Sequence, residues 1–301
     1  MKHFLSLRNW GRAQVEHTLD RASELAQLWR RQRMPLTLSG KRVALWFHGE
    51  GFRNRLAFEL GAKAMGAEVS YVPGELGVHE PIEDIAGYLH NWYSMLVLRT
   101  KRHEDLLSIA AQDAIPVINA RTDRSHPCEI LGDLLYLRQR RGTLDDLRVV
   151  FVGEASNLCM SWLEAAAVLP IQVVQVCPIG YEVDGGQLAG LRIGAEGDLQ
   201  VTHDLVGAVA EVDLIYTDCW PKAGTVEEQA KIREAFLPYQ IHGEHLDRLS
   251  PRGVFLPCPP VTRGEEVSAE AMRSPRCQNH AAKDYLLHAQ NAILETVAAG
   301  E

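Results

Sequence analysis

The chain has 301 residues, 46% of them hydrophobic, and a net charge of -8. That length suits about two domains with proper cores, and the acidic balance argues against nucleic acid or an anionic membrane surface as the main partner. No apolar run approaches the roughly 18 residues of a membrane span, Met1–Ser6 lacks a signal-peptide core, and the six cysteines show no CxxC spacing, so zinc ribbons and thioredoxin-type chemistry are excluded. The expectation is a cytoplasmic enzyme with reduced thiols.

Short β-rich apolar runs predict strands at 42–47, 68–72, 95–98 and 117–119, then at 148–152, 172–176, 214–216 and 254–256. Between them lie amphipathic segments at 56–65, 82–89, 104–112, 161–168, 226–236 and 281–296. Strand and helix alternating in this way predict an α/β protein of two doubly wound parallel sheets covered by helices. Residues 128–141, with Ile130, Leu131, Leu134 and Leu135 on one side, read as a helix joining the two units and ending at Gly142. No repeats or low-complexity tracts appear.

In doubly wound sheets ligands bind beyond the carboxyl ends of strands, so the loops after strands carry the functional signal. The first runs Phe47-His48-Gly49-Glu50-Gly51-Phe52-Arg53-Asn54-Arg55 into a helix. A strand, a tight turn and a helix N-terminus present backbone N–H groups to an anion. After the third strand comes Arg99, placed either to polarise a carbonyl or to sit in a solvated basic loop. Ser125-His126-Pro127-Cys128-Glu129 opens the joining helix, where a histidine is a candidate hydrogen-bond donor or a structural residue. Val152-Gly153-Glu154-Ala155-Ser156-Asn157 lacks GxGxxG, which discounts dinucleotide binding. Asp218, just beyond the strand at 214–216, suits an ammonium ligand or a helix cap equally well. Cys258, between Pro257 and Pro259-Pro260, lies in a stiff extended loop, where an isolated cysteine reads first as a small buried hydrophobe.

The order and spacing of these loops resemble the aspartate and ornithine carbamoyltransferases. The resemblance runs through Phe47–Glu59, Arg99-Thr100, Pro116–Asn119, His126-Pro127-Cys128 and Tyr216-Thr217-Asp218-x-Trp220. It continues through Pro238–Gln240, Cys258-x-Pro260, Arg263–Val267, Ser274–Arg276 and Leu287–Gln290, and so covers nearly the whole chain. Cys258 places it nearer the ornithine branch. The resemblance implies a carbamoyl-phosphate domain over 1–138, an amino-acid domain over 139–278, and a last helix over 279–301 that packs back on the first domain. It also implies a homotrimer with active sites between neighbouring subunits. The reaction implied is attack of a neutral amine on the carbamoyl carbon with loss of phosphate, without metal, cofactor or covalent intermediate.

By the same resemblance, Arg53, Arg99 and His126 polarise the carbonyl, and Gly51, Phe52, Arg53, Asn54 and Glu75 line the donor subsite. Asn157 and Asp218 hold the amino acid's α-carboxylate and α-ammonium, Cys258 and Pro259 lie near the attacking amine, and Lys222 is placed for an extra substrate carboxylate or for solvent. The chain departs from the family mainly at the phosphate. Gly51, Phe52 and Asn54 stand in place of three hydroxyl residues, Glu75 in place of Gln, and Leu286 in place of the Arg of a terminal R-L-H motif. Glu129 replaces the Gln of H-P-x-Q, and Pro257 the His of H-C-L-P. Each hydrogen bond lost to a charged group is worth about 1.5–3 kcal/mol, and the two added carboxylates are expected to repel a dianion further. Restoring Ser at 51 and Thr at 52 is expected to strengthen phosphate binding. Three readings follow: a carbamoyltransferase with weakened or remodelled donor binding, a same-fold transferase with a less anionic donor, or an inactive paralogue that senses ligands or joins assemblies.

Overall fold

The computed structural model describes residues 3–49 and 51–300. Glu50, part of the first loop, lies outside the described residues, as do Met1 and Lys2 of the amino-terminal reading. The described chain divides into two compact units, one of residues up to Arg140 together with Lys283 onward, the other of Arg141–Ala282.

The first unit opens with α1 (Leu7–Arg30), an element the sequence reading did not name. Ser6 caps it by accepting the Asn9 backbone N–H, and Asn9 returns the bond to the Ser6 N–H. Four parallel strands follow, β1 (Arg42–Phe47), β2 (Glu68–Val72), β3 (Met95–Arg99) and β4 (Val117–Arg121), in the order β2-β1-β3-β4. The central strands β1 and β3 carry Val43, Ala44, Leu45 and residues Met95–Leu98, all buried, as parallel strands covered on both faces must. Helices α2 (Phe52–Ala64), α3 (Ile82–Trp92), α4 (His103–Ala111) and α5 (Pro127–Arg141) connect and follow these strands, and α11 (Asn279–Ala298) completes the unit from the far end of the chain.

Of these, α2 begins four residues earlier than the apolar pattern predicts. Its first turn is made by Phe52, Arg53, Asn54 and Arg55 themselves, because Gly51 takes a left-handed conformation (φ 50°, ψ 39°) that turns the chain into the helix. The end of α5 at a left-handed Gly142 (φ 88°) matches the expected stop.

The second unit has five parallel strands in the order β7-β6-β5-β8-β9. These are β5 (Arg148–Val152), β6 (Gln172–Val176), β7 (Asp198–Thr202), β8 (Leu214–Thr217) and β9 (Val254–Pro257). The edge strand β7 escaped the sequence reading because its polar Asp198, Gln200 and Thr202 leave only Leu199 buried. Helix α6 (Asn157–Val168) also starts four residues early, since Ser156 caps it by accepting the Cys159 N–H. Three short helices, α7 (Gly185–Arg192), α8 (Leu205–Ala208) and α10 (Gly243–Asp247), add to the expected α9 (Val226–Phe236). No helix among the described residues is long and apolar enough to cross a membrane.

Inside the first unit α11 is fastened at three points. Arg21 of α1 grips Glu295 through Nε (2.6 Å) and a second nitrogen (3.1 Å), and Thr37 donates to the same carboxylate. Gly132 of α5 lets the backbone of Leu286 approach, with an added Cβ standing 3.0 Å from Leu286 Cα. Gly61 of α2 lies against Asn291, whose Oδ1 would be 1.8 Å from a Cβ at that position. Gly61→Ala therefore forces the buried Asn291 aside and is expected to destabilise the protein by about 1–3 kcal/mol in chemical denaturation. Asn291→Ala in the same chain should recover part of that loss, and equal stability of parent and Gly61→Ala would show that the contact is soft.

Candidate active site

The strand order of the first sheet reverses between β1 and β3, whose last residues Phe47 and Arg99 are register partners. Chains leaving the two strands diverge there and open a crevice. Around it the structure gathers the turn before α2, Arg99, and His126 at the start of α5.

Gly51 lies against the Arg99 side chain so closely that a Cβ would be 2.7 Å from both Cζ and Nε. A side chain here would be strained by the φ of 50° and would push the end of the Arg99 side chain aside. This corrects the expectation that serine at 51 restores a useful hydroxyl, because Gly51→Ser must displace Arg99. Phe52 is 56% exposed, and the Arg53 guanidinium stacks 4.7 Å from its ring centroid. Phe52 therefore serves as a platform for Arg53.

Asn54 is buried, and it points inward. Its Oδ1 accepts a 2.6 Å hydrogen bond from Gln290 Nε2 of α11, which fixes the amide orientation. Nδ2 then faces the Ala120 carbonyl (3.4 Å) and His126 Nε2 (3.5 Å), both long contacts. Only if Nδ2 donates here is His126 Nε2 the acceptor and Nδ1 the protonated nitrogen, since the roles of the ring nitrogens follow from its tautomer. Burial pushes the His126 pKa down to about 3, and the nearby cations Arg99, Arg121 and Lys283 press it lower against the pull of Glu129. His126 is a neutral imidazole in a positively charged surrounding.

The two carboxylates expected to repel an anion are both paired. Glu75 meets His48 at 2.5 Å, with Lys101 3.8 Å away, and the His48 contact holds its carboxyl below the usual range. Glu129 meets Lys283 at 2.6 Å. Burial opposes its charge, but Lys283, then His126 and Arg53, hold it ionised, and because His126 is neutral the main partner is Lys283. The same lysine binds Asp133 at 2.9 and 3.1 Å. Removing one member of such a buried pair costs about 3–5 kcal/mol.

In the second unit the order reverses between β5 and β8, and the expected residues follow those strands and β9. Asn157 is the buried first residue of α6. Asp218 follows β8, with its Oδ1 accepting the Cys219 N–H at 2.8 Å. The Cys258 N–H donates to Thr217 O (2.8 Å), which sets the buried Cys258 beside the Asp218 segment. The Pro259–Pro260 peptide is cis, and Cys219 Sγ reaches the Pro260 carbonyl at 2.9 Å. Lys222 is exposed. Two further carboxylates escaped the sequence reading. Burial, aided by Asp218, raises the Glu154 pKa; burial also raises Glu266, to about 7, against the backbone N–H of Thr262 that its carboxylate accepts. Their signal was present in Gly153-Glu154 and Glu265-Glu266, but only packing shows that Asp218 acts on both.

Residues 2–139 match the family profile "Aspartate/ornithine carbamoyltransferase, carbamoyl-P binding domain", and residues 145–297 match its "Asp/Orn binding domain". The chain belongs to the aspartate/ornithine carbamoyltransferase family. The ornithine carbamoyltransferase of Chlorobaculum tepidum is 38% identical over 84% of this chain and 76% of that protein. That of Methanothermobacter thermautotrophicus is 35% identical over 98% of both. Among solved structures, the ornithine carbamoyltransferase from Pyrococcus furiosus superposes with a TM-score of 0.94 at 29% identity, covering 100% of this chain and 98% of that one. This carbamoyltransferase lies nearest the ornithine branch in all three similarities, and its two parallel-sheet domains have the family fold.

The titration of His126 makes a measurable prediction. Between about pH 6.5 and 3 the unfolded imidazole carries a proton that the folded one excludes. Stability should fall as pH drops through that window, with a slope from this group of up to ~1.4 kcal/mol per pH unit. Glu129, held ionised when folded, adds to the loss at the acid end. His126→Gln is expected to flatten the urea-stability profile between pH 6.5 and 4; an unchanged slope would mean that the ring protonates freely in the folded state.

Proposed function

We propose that this carbamoyltransferase moves a carbamoyl group from carbamoyl phosphate to the side-chain amine of an ornithine-like amino acid, with a remodelled grip on the phosphate. The observation that carries the reading is the neutral, buried His126 with Arg99 and Arg121 close enough to depress its pKa. A neutral imidazole N–H donor beside fixed cations suits an oxygen that gains negative charge as the amine attacks. Arg53, Arg99 and His126 are assigned to the carbamoyl oxygen and leaving group. Asn157 and Asp218 are assigned to the α-carboxylate and α-ammonium, and Cys258 and Pro259 to the neighbourhood of the attacking amine. Lys222 is kept for a second substrate carboxylate. Homotrimeric assembly in the cytoplasm, with no metal or cofactor, belongs to the same proposal.

Remodelling is read from the turn before α2. With glycine at 51 and a half-exposed phenylalanine at 52, the turn supplies backbone N–H groups and the Arg53 charge, but no hydroxyl at either position. Asn54 is committed to Gln290 and His126. A donor less anionic than carbamoyl phosphate is the second reading, favoured by the same missing hydroxyls.

Phosphate release from carbamoyl phosphate, screened over ornithine, lysine, diaminopropionate, putrescine and aspartate, tests the assignment. Turnover with ornithine or a homologue is expected. Absence of both turnover and calorimetric binding at millimolar donor would overturn it in favour of the second reading. Loss of one polarising donor typically costs 10²–10³ in kcat, and His126→Ala should fall by about that factor. Gly51→Ser is expected to weaken donor affinity by about tenfold, the equivalent of one charged hydrogen bond, through displacement of Arg99. Phe52→Thr, which leaves Gly51 in place, should instead tighten it. Tighter binding by Gly51→Ser would contradict the close contact.

A further inference from the structure

The family's terminal motif carries arginine where this chain has Leu286, and α11 buries that leucine with its backbone against Gly132 of α5. No cation can be offered from this position. Lys283 lies one helical turn earlier on the same face of α11. Its ammonium reaches Glu129 Oε1 at 2.6 Å and both oxygens of Asp133 at 2.9 and 3.1 Å. The three side chains are 13%, 9% and 1% exposed. Glu129 stands where the family pattern has Gln, so the chain has gained a carboxylate and a partner for it in one desolvated place. The other oxygen, Glu129 Oε2, is 3.8 Å from His126 Nε2.

We propose that Lys283 is a positioning residue of the donor site, which, by holding Glu129 Oε1 and Asp133, fixes Glu129 Oε2 beside His126 as an ionised acceptor. The inference rests on the carbamoyl-transfer reading for what the carboxylate faces. An ionised carboxylate only accepts hydrogen bonds, so the portion of the donor beside it must present N–H groups, as a carbamoyl or amidino carbon does. A neutral amide at 129 needs no such lysine, whereas a buried carboxylate does. The charged and titratable groups facing Glu129 are His126 just before its helix, Cys128 and Asp133 on it, Arg53 from α2 and Lys283 from α11. Arg99 from β3 and Arg121 from β4 act on the adjoining imidazole.

Lys283→Met, Lys283→Arg and Glu129→Gln, compared with the parent, test the inference. In carbon-13 NMR of the glutamate carboxyls, the signal absent from Glu129→Gln identifies Glu129. In the parent that signal should not titrate above about pH 4, and in Lys283→Met its midpoint should move to between about 6 and 8. With carbamoyl phosphate and the accepting amine, Lys283→Met should lose at least ~30-fold in kcat at pH 7 and gain a limb that ascends with pH, and Lys283→Arg should recover to within about threefold. A merely structural lysine would lower the melting temperature without moving either profile, and unchanged profiles overturn the proposal. A parent that turns over no carbamoyl phosphate, yet whose Glu129 titration moves as expected, refutes the donor assignment and supports the role of Lys283. Should Lys283→Met not fold, Glu129→Gln, which keeps the Lys283–Asp133 pair, carries the test. A kcat/KM for carbamoyl phosphate within about threefold of the parent then overturns the role of the carboxylate.

Discussion

Asn54, His126, Glu129, Asp133 and Lys283 share one desolvated region of the first unit, where an unpaired charge is far costlier than in water. The rest of the unit answers to that constraint. His126 meets it by staying neutral, and Glu129 and Asp133 meet it by sharing one ammonium. Lys283 and Gln290 both come from α11, so the helix must be held in place for the site to exist. The Arg21–Glu295 fork and the close approaches at Gly61 and Gly132 hold it there. Residues that look like packing details are in this sense part of the electrostatics.

The same constraint explains how a turn without its hydroxyls still belongs to an anion-binding fold. Removing side-chain donors at 51 and 52 leaves the backbone N–H groups at the α2 N-terminus and the surrounding guanidinium groups. The carboxylate at 129 does not cancel those cations, because Lys283 is paired with it, and Glu75 is an exposed group in contact with His48. In the second unit the opposite environment prevails. Asp218, Glu154 and Glu266 lie near one another, and burial raises the pKa of both glutamates.

Much of the fold was legible in local pattern. Buried runs such as Met95–Leu98 and Val149–Val152 are continuous apolar stretches, and Gly142 stops α5 where a left-handed residue is needed. The misses have local causes too. The start of α2 carries Arg53, Asn54 and Arg55, so its periodicity begins a turn late, whereas α6 starts early because Ser156 caps it just ahead of the apolar Leu158, Cys159 and Met160. Strand β7 has one buried residue and so lacks the apolar run of a central strand.

For the site, the sequence by itself determined the residue types and their loops, namely Arg53, Arg99, His126, Asp218 and Cys258 at strand ends, because chain connectivity and the parallel sheet dictate where such loops gather. It also carried the family, since motifs in order survive the loss of individual side chains. Only the tertiary structure decided what those residues became. Asn54 turned inward because Gln290, 236 positions away, fixes its amide. Glu129 became a paired charge because Lys283, 154 positions away, arrives on a neighbouring helix. Gly51 became a strained site for any side chain because of its φ of 50° and because Arg99 lies against it. Distance, burial and hydrogen-bond direction are properties of packing, and no local pattern in the chain encodes them.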